Sequence, residues 1–330
     1  MKLGNYEFKY GLSLAPMAGY TDSAMRTLAK RYGAEFSTTE MVSAKAVTFG
    51  DAKTFSLAAI REEEGPVAVQ IFGSEPDVMA HAAEILLARE PNEGFVRPFA
   101  VDINMGCPVN KIFKNGEGSA LMRDPELIRK IVLTVRGTSP VPVTVKLRAG
   151  IDGENRNAVE CAMAAEDGGA SLITVHGRTR VEFYSGRADR EIIKNVKKSV
   201  HIPVIANGDV TSGEEALAML RETGADGIAV GRGAVGNPFV FAEIRAAIFG
   251  ESYTPPSLGE RIDTALEQLR LSVREKGERV AVVEARKQIA AYFTSFRGAS
   301  ALRASINRAE SSEEVKTLLS YFAKANGENS

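Results

Sequence analysis

One segment of the sequence carries residue types that could do chemistry: Asp102-Ile103-Asn104-Met105-Gly106-Cys107-Pro108. An apolar run leads into it, and Gly106 and Pro108 stop any regular element, so the pattern predicts a β-strand with a cysteine at its tip. Asp102 and Asn104 lie two positions apart and therefore share one strand face, on the side where Cys107 emerges. An isolated cysteine is more often a small buried hydrophobic residue. A functional role for Cys107 therefore needs support from the rest of the chain.

Length and composition indicate a soluble globular protein. At 330 residues, the chain fits an α/β barrel of about 250 residues with an appendage as well as two equal domains. Its 44% hydrophobic and 25% charged residues are typical of proteins with a full core. No stretch approaches the roughly 20 apolar residues of a membrane span, and the first residues lack a signal-peptide core. We expect a cytoplasmic monomer with no membrane partner.

Only two cysteines are present, Cys107 and Cys161. They are too few for a disulfide scaffold or a structural zinc site, so no metal is expected. Cys161 lies in a helical pattern and is predicted to be a packing residue. The net charge of −1 gives no global sign of nucleic-acid binding, so any such signal must be local.

Eight short β-type runs recur along the chain, each followed by a helical pattern or a glycine-rich loop. This rhythm is typical of repeated βα units, and eight units predict an α/β fold, a (β/α)8 TIM barrel. The runs are Leu12 to Met17, Phe36 to Met41, Pro66 to Phe72, Phe99 to Met105, Val141 to Leu147, Ser171 to His176, Ile202 to Asn207 and Gly227 to Val230.

Polar residues come late in these runs, where the strands of a barrel converge on one catalytic face. They are Gln70, Asn104, Lys146, His176, Asn207 and Arg232. Glycine-rich loops follow the seventh and eighth runs, at Asn207-Gly208-Asp209 and Gly231-Arg232-Gly233, where barrels bind phosphate through backbone amides. The long loop from Cys107 to Met122, rich in glycine, is a candidate mobile lid.

After residue 257 the pattern contains helices alone: Leu258 to Lys276, Val280 to Phe296, Ala299 to Ala309 and Ser312 to Ala325. We therefore predict a catalytic barrel over residues 1–250 and a helical domain over 257–330. Between residues 279 and 308 the charged residues are basic apart from Glu284, a pattern that suits a phosphate backbone but also an ordinary solvated helix face. The basic residues are Arg279, Arg286, Lys287, Arg297, Arg303 and Arg308.

Several blocks, in order along the chain, closely resemble the tRNA-dihydrouridine synthases of the bacterial, FMN-dependent type. The combination is far more specific than any one block. The blocks are Ala15-Pro16-Met17-Ala18-Gly19-Tyr20-Thr21-Asp22, the Cys107 segment, Gly116-Glu117-Gly118-Ser119-Ala120-Leu121-Met122, Lys146-Leu147-Arg148-Ala149-Gly150, His176-Gly177-Arg178-Thr179-Arg180, Asn207-Gly208-Asp209 and Gly231-Arg232-Gly233.

The resemblance implies a barrel enzyme with a tRNA-binding helical domain. It would reduce the C5–C6 double bond of particular uridines in tRNA, with FMN as cofactor and NADPH or NADH as reductant. By the same resemblance, Asn104, Arg178, Arg286 and Lys287 contact the tRNA substrate. The implied FMN contacts are Pro16, Met17, Gln70, Lys146, His176, Asn207, Gly208, Asp209, Gly231 and Arg232.

The implied chemistry suits these residue types. Hydride from the flavin goes to C6 of uracil, and Cys107 is the general acid that protonates C5, since a thiol with a pKa near about 8.5 is protonated at neutral pH yet can release its proton. Lys146 would stabilise negative charge on the reduced flavin. Asn104 could pair with the imide edge of uracil.

Two alternatives remain open from the sequence. One is a flavin barrel for a small molecule, such as a dihydropyrimidine or dihydroorotate dehydrogenase, which gives no reason for a basic helical region. The other is an RNA-binding scaffold without turnover, against which the Cys107, Lys146 and His176 set argues. Gln288 and Arg190 depart from the residues that the family often has, a histidine and a tryptophan, and this leaves the target uridine undefined.

Overall fold

A closed sheet of eight parallel strands forms the centre of the molecule. The computed structural model describes residues 1–89 and 96–327. Each strand pairs with the next, and β8 pairs with β1, so the predicted barrel is confirmed. The strands are β1 Leu12–Leu14, β2 Phe36–Thr38, β3 Val67–Phe72, β4 Ala100–Met105, β5 Val143–Arg148, β6 Leu172–His176, β7 Val204–Asn207 and β8 Gly227–Val230.

Helices surround the barrel and then continue alone. Around the barrel lie α1 Ser23–Arg31, α2 Ala44–Thr48, α3 Ala52–Leu57, α4 Pro76–Ala88, α5 Asn110–Lys114, α6 Pro125–Thr138, α7 Ala158–Asp167, α8 Arg190–Ser199, α9 Gly213–Thr223 and α10 Val240–Phe249. The C-terminal region contains α11 Leu258–Lys276, α12 Glu278–Ile289, α13 Ala299–Ile306 and α14 Ser312–Ala325. None of the helices in the described residues is long and apolar enough to cross a membrane.

Local capping explains where the predicted helices begin. The Asp22 carboxylate accepts a hydrogen bond from the Met25 amide (3.0 Å) at the start of α1, and the Ser212 hydroxyl accepts one from the Glu215 amide (3.2 Å) at α9. Gly224 ends α9 in the left-handed conformation (φ 68°), which glycine adopts without strain. These capping groups therefore determine the first residues of α1 and α9 and the last residue of α9.

Some short elements were not predicted from the sequence. A hairpin of Lys2–Leu3 and Tyr6–Glu7 precedes β1, and a short strand Val42–Ser43 pairs beside β3. Leu3 and Phe8 of the hairpin segment pack with Phe36 and Phe99 in a small apolar cluster. These strands have two residues each, too few to produce a readable alternation of apolar and polar residues.

The C-terminal helices have an apolar core of their own, which includes Ile262, Leu269, Ile289 and Phe293. Segment 251–256, where we predicted the domain boundary, contains neither helix nor strand. The two parts also touch, because the Tyr32 hydroxyl after α1 shares a 2.8 Å hydrogen bond with Thr264 of α11. The division at residues 250 and 257 remains a prediction.

A buried ion pair joins α1 to the turn before β3. Arg26 and Glu64 are 2% and 0% exposed, and the Arg26 Nε lies 2.6 Å from a Glu64 carboxylate oxygen. The same guanidinium donates to the Thr21 carbonyl (2.7 Å), and the Ser23 hydroxyl donates to Glu64 (2.6 Å). Glu64 therefore supplies the carboxylate that meets the buried Arg26 charge.

We expect Glu64→Ala to lower the free energy of unfolding by about 3–5 kcal/mol, because it leaves the Arg26 cation buried without its counter-charge. Chemical denaturation by guanidinium chloride, followed by circular dichroism, measures this change. Glu126→Ala, which breaks the exposed pair with Arg129, is the control and should cause a much smaller loss. Equal losses in the two variants would contradict the assigned importance of the buried pair.

Candidate active site

Strand register places the predicted polar residues in one continuous arc. Asn104 on β4 lies opposite Lys146 on β5, and His176 on β6 lies opposite Asn207 on β7. Gln70 on β3 is opposite Asp102 in the same way. The strand register therefore brings these residues toward one end of the barrel.

A buried hydrogen-bond chain connects Asp102 to Cys107. The Gln70 side-chain amide donates to the Asp102 carboxylate (2.7 Å), and the Asn104 amide donates to the Gln70 carbonyl (2.9 Å). The Asn104 carbonyl then accepts the backbone amides of Gly106 (3.2 Å) and Cys107 (2.9 Å). Asp102, whose role the sequence left unsettled, therefore orients the residues that hold the cysteine.

This chain also limits what Gln70 and Asn104 can offer a ligand. The Asn104 carbonyl is occupied by two backbone amides, so one amide hydrogen of its side chain remains for an incoming base. Gln70, 1% exposed, likewise uses its carbonyl and one amide hydrogen inside the protein. The predicted pairing of Asn104 with both partners of an imide edge would require its present bonds to rearrange.

The Cys107 thiol is prepared to hold a proton. Cys107 is 7% exposed, and burial raises the pKa of its thiol. Ser119 fixes the peptide after it, since both the Ser119 hydroxyl (2.8 Å) and its backbone amide (3.2 Å) donate to the Cys107 carbonyl. Cys161, by contrast, is fully buried in α7 and packs as predicted.

Arg148 is a site residue that the sequence interpretation did not single out. Its guanidinium donates to the carbonyls of Gly106 (2.8 Å), Thr179 (2.8 Å) and Phe183 (3.0 Å), so it joins the cysteine loop to the loop after β6. Burial lowers the pKa of Arg148 to about 10, and the group remains charged at neutral pH. The signal was present, because Arg148 lies two positions after Lys146 and therefore on the same strand face.

Lys146 presents a desolvated ammonium to the barrel mouth. Part of its side chain reaches the surface, but protein atoms surround the Nζ, which donates to the Asn207 side-chain carbonyl (2.9 Å). This desolvation, with a smaller contribution from the Arg148 charge, lowers the pKa of Lys146 to about 7. Within the described residues, no carboxylate forms an ion pair with it. An anionic ligand would satisfy this charge.

His176 lies next to this cation and is neutral. It is 7% exposed, and burial together with the nearby positive charges of Lys146 and Arg148 holds its pKa far below the usual range for histidine. A side-chain carbon added at Gly208 would lie 3.4 Å from the imidazole ring. His176 can therefore exchange one hydrogen bond with a ligand without carrying charge.

The two predicted phosphate loops pack tightly against each other and against the loop after β1. A side-chain carbon at Gly233 would lie 2.3 Å from the Val210 carbonyl, and one at Gly231 would lie 3.6 Å from the Met17 sulfur. Pro16 precedes Met17 in the same loop, and the backbone of Ala15 bonds to Val230 of β8 (2.9 Å). The glycines therefore let the backbones of these three loops pack closely together.

Arg178, after β6, and Asp209, after β7, form an ion pair through both carboxylate oxygens. The Arg178 Nη1 and Nη2 atoms each lie 2.8 Å from an Asp209 oxygen, and the same guanidinium donates to the carbonyls of Ser185 and Gly186. Arg178 is 2% exposed. Contact with a uracil base would require it to leave these bonds, so in this structure Arg178 fixes the loop instead. Arg232 extends over the Tyr184 ring at 4.3 Å and remains half-exposed.

The predicted tRNA contacts on α12 also have partners within the protein. The Arg286 guanidinium donates to the Ala309 carbonyl (2.7 Å), while the exposed Lys287 places its ammonium 4.4 Å from the Tyr20 ring. Gln288 is 5% exposed and donates to the Gly19 carbonyl (3.3 Å), so this departure from the family pattern serves packing. Arg190, the other departure, pairs with Glu222 on the surface.

The family model for dihydrouridine synthase (Dus) matches residues 13–326 of this chain, across both the barrel and the helical region. The chain belongs to the dihydrouridine synthase family. Membership makes it an enzyme of a flavin-dependent oxidoreductase family, as the sequence indicated. The match also includes the helical region, whose presence the small-molecule dehydrogenase alternative did not explain.

Relatives in this family are similar along almost their whole length. The "Probable tRNA-dihydrouridine synthase" of Rickettsia conorii is 40% identical over 324 residues, which is 98% of this chain and 96% of the relative. The "tRNA-dihydrouridine synthase B" of Shewanella oneidensis is 39% identical, with 98% of each chain covered.

Solved structures share the fold. Histamine dehydrogenase from Rhizobium sp. 4-9 is similar with a TM-score of 0.56 over 86% of this chain, which spans 50% of that protein's length. TcOYE with pHBA gives a TM-score of 0.50 over 79% of this chain and 94% of its own. The identities are 14% and 12%, so these similarities concern the barrel fold alone.

Proposed function

We propose that this dihydrouridine synthase reduces the C5–C6 double bond of specific uridines in tRNA, with FMN as its flavin and NADPH or NADH as reductant. The observation that carries the proposal is that two adjacent βα units supply a buried thiol, Cys107, and a desolvated amine, Lys146. An acid and a stabiliser of negative charge are what addition of hydride to uracil requires.

The flavin fits the residues that surround this pair. Lys146 lacks a carboxylate partner among the described side chains, and it lies on the strand next to His176, whose neighbour Asn207 opens the first glycine-rich loop. Pro16, Met17, Gln70, Lys146 and His176 would hold the ring system. Asn207, Gly208, Asp209, Gly231 and Arg232 would surround the phosphate end. Bound there, FMN would supply the hydride that is added to C6 of uracil.

The protein's own residues supply the rest of the chemistry. Cys107 holds a proton on its sulfur and transfers it to C5 as negative charge develops there, and Asn104 keeps the cysteine backbone in place. Arg148 keeps the cysteine loop against the loop after β6. Lys146 holds its own proton and stabilises negative charge that forms beside it.

The helical region supports tRNA as the proposed substrate. The target base of a folded tRNA must leave its stack to reach the barrel, and this unstacking costs roughly a few kcal/mol of free energy. Basic side chains that bind the RNA backbone offset this cost. Lys287 is exposed on α12 and lies against the Tyr20 loop at the barrel mouth, so it can contact a phosphate near the entrance. Arg286 supports the same helix.

The test uses the purified protein, FMN, NADPH and an unmodified tRNA transcript. We expect a yellow protein whose flavin is reduced by NADPH and reoxidised by the transcript, with dihydrouridine appearing in the RNA by mass spectrometry. Free uridine and orotate are the control acceptors and should leave the flavin reduced. A protein that cannot take up FMN would refute the proposal, and reoxidation by orotate but not by tRNA would favour a small-molecule dehydrogenase.

A further inference from the structure

A short helix forms part of the loop that leads away from Cys107. Helix α5 begins at Asn110, three residues after the cysteine, and has five residues, none of them buried. No side chain caps its first turn. Because isolated helices of this length are unstable in water, contacts with other parts of the protein must hold α5 in place.

Arg180, from the loop after β6, makes such contacts. Its guanidinium carbon lies 3.7 Å from the centre of the Phe113 ring, and its Nη2 donates to the Asn110 side-chain carbonyl (2.5 Å). Its Nε is buried and has no hydrogen-bond partner among the described residues. Both contacted residues belong to α5, so the Arg180 side chain contacts the helix at two points, a cation–π contact and a hydrogen bond.

The base of Arg180 is fixed to the barrel. Its backbone amide donates to the Gly150 carbonyl after β5 (2.9 Å), and the next amide, that of Val181, donates to the Ile151 carbonyl (3.0 Å). Just before it, the Thr179 carbonyl accepts a hydrogen bond from the buried Arg148. Arg180 therefore links a fixed segment of the barrel wall to a short helix whose Phe113 packs only partly against the core.

We propose that Arg180 is a positioning residue that latches α5 over the site and thereby keeps Cys107 enclosed and correctly placed. The latch consists of Arg180, Phe113 and Asn110. Gly118 and Ser119 fix the far side of the same loop against Cys107, so the latch determines the position of its near side. The consequence for catalysis rests on the proposed function, but the latch itself does not.

The experiment measures alkylation of Cys107 by iodoacetamide in the intact protein, followed by peptide mass spectrometry. We expect Arg180→Leu to raise the Cys107 rate about tenfold at pH 8, equivalent to the loss of about 1.4 kcal/mol of protection. The apparent pKa of the reaction should fall toward the ordinary thiol range as water reaches the sulfur. Asn110→Ala should raise the rate less, since the ring contact remains.

Arg123→Leu is the matched control. Arg123 lies 4.4 Å from the same Phe113 ring but is exposed and does not bind Asn110, so its loss should leave the Cys107 rate near that of the wild type. Cys161 is an internal control for folding, because its alkylation would report global opening. If Cys161 becomes reactive in Arg180→Leu, that variant has opened globally, and the Cys107 rate of Asn110→Ala then tests the proposal. A wild-type alkylation rate of Cys107 in Arg180→Leu, with Cys161 still unreactive, would overturn the proposal.

This assay needs neither flavin nor tRNA, so it separates the latch from the proposed function. Where that function holds, Arg180→Leu should bind FMN with wild-type affinity and lower the single-turnover rate of tRNA reduction. Arg180→Lys keeps the charge but loses the flat stacked surface, and we expect it to restore the rate in part. A changed FMN affinity with an unchanged alkylation rate would contradict the latch.

Discussion

Replacement of Cys107 by alanine is expected to lower the single-turnover rate of tRNA reduction by about 10²–10⁴-fold, the usual contribution of a positioned general acid. The thiol is enclosed and protonated, and the backbone contacts that hold the residue come from Asn104 and Ser119, which the substitution leaves in place. FMN affinity and the rate of flavin reduction by NADPH should therefore stay close to wild type.

Rapid-mixing measurement of flavin absorbance under anaerobic conditions checks this result. Cys161→Ala is the matched control, since it removes the other thiol from a fully buried position outside the site. Because burial raises the pKa of Cys107, the wild-type rate should also stay level to the upper end of the ordinary thiol range and fall only above it. An unchanged rate in Cys107→Ala would remove the assigned role.

Much of the fold could be predicted because its signals are local. Parallel strands buried on both faces give continuous apolar runs, and all eight barrel strands were found in this way. Helix α11 begins and ends at the predicted residues, Leu258 and Lys276. The predicted Val280 to Phe296 helix instead begins at Glu278 and gives way to a 3₁₀ turn after Ile289. Such a tightening of a last turn follows from packing and not from the sequence pattern.

The partners of charged side chains could not be predicted in the same way. Arg178 was expected to contact the base, but Asp209, 31 residues away, takes its guanidinium. Arg286 was expected on the RNA surface, yet it donates to the carbonyl of Ala309, 23 residues away in the segment after α13. These pairings depend on which loops the fold brings together. Spacing along the chain predicts the strand or helix face on which a side chain lies. It does not predict which neighbouring group will pair with a charged side chain.

Binding of FMN is expected to weaken as the pH rises above about 7, by up to about tenfold per pH unit. Desolvation lowers the pKa of Lys146 to about 7 in the flavin-free protein. An anionic ligand beside the ammonium favours its charged form, so the pKa rises on binding and the complex takes up a proton. Above pH 7 the proton concentration falls, so uptake of this proton becomes less favourable. The affinity for FMN therefore declines until the pH reaches the pKa of Lys146 in the complex.

Fluorescence titration of FMN between pH 7 and 9 measures how the affinity depends on pH. Lys146→Met is the control, and it should bind FMN weakly with an affinity that does not depend on pH in this range. The ligand's phosphate completes its second ionisation near about pH 6, below this window. The same group affects folding with the opposite sign: between pH 7 and the ordinary lysine pKa the unfolded chain holds the extra proton, so flavin-free stability should rise with pH. A pH-independent affinity in the wild type would show that Lys146 does not carry the charge that the flavin meets.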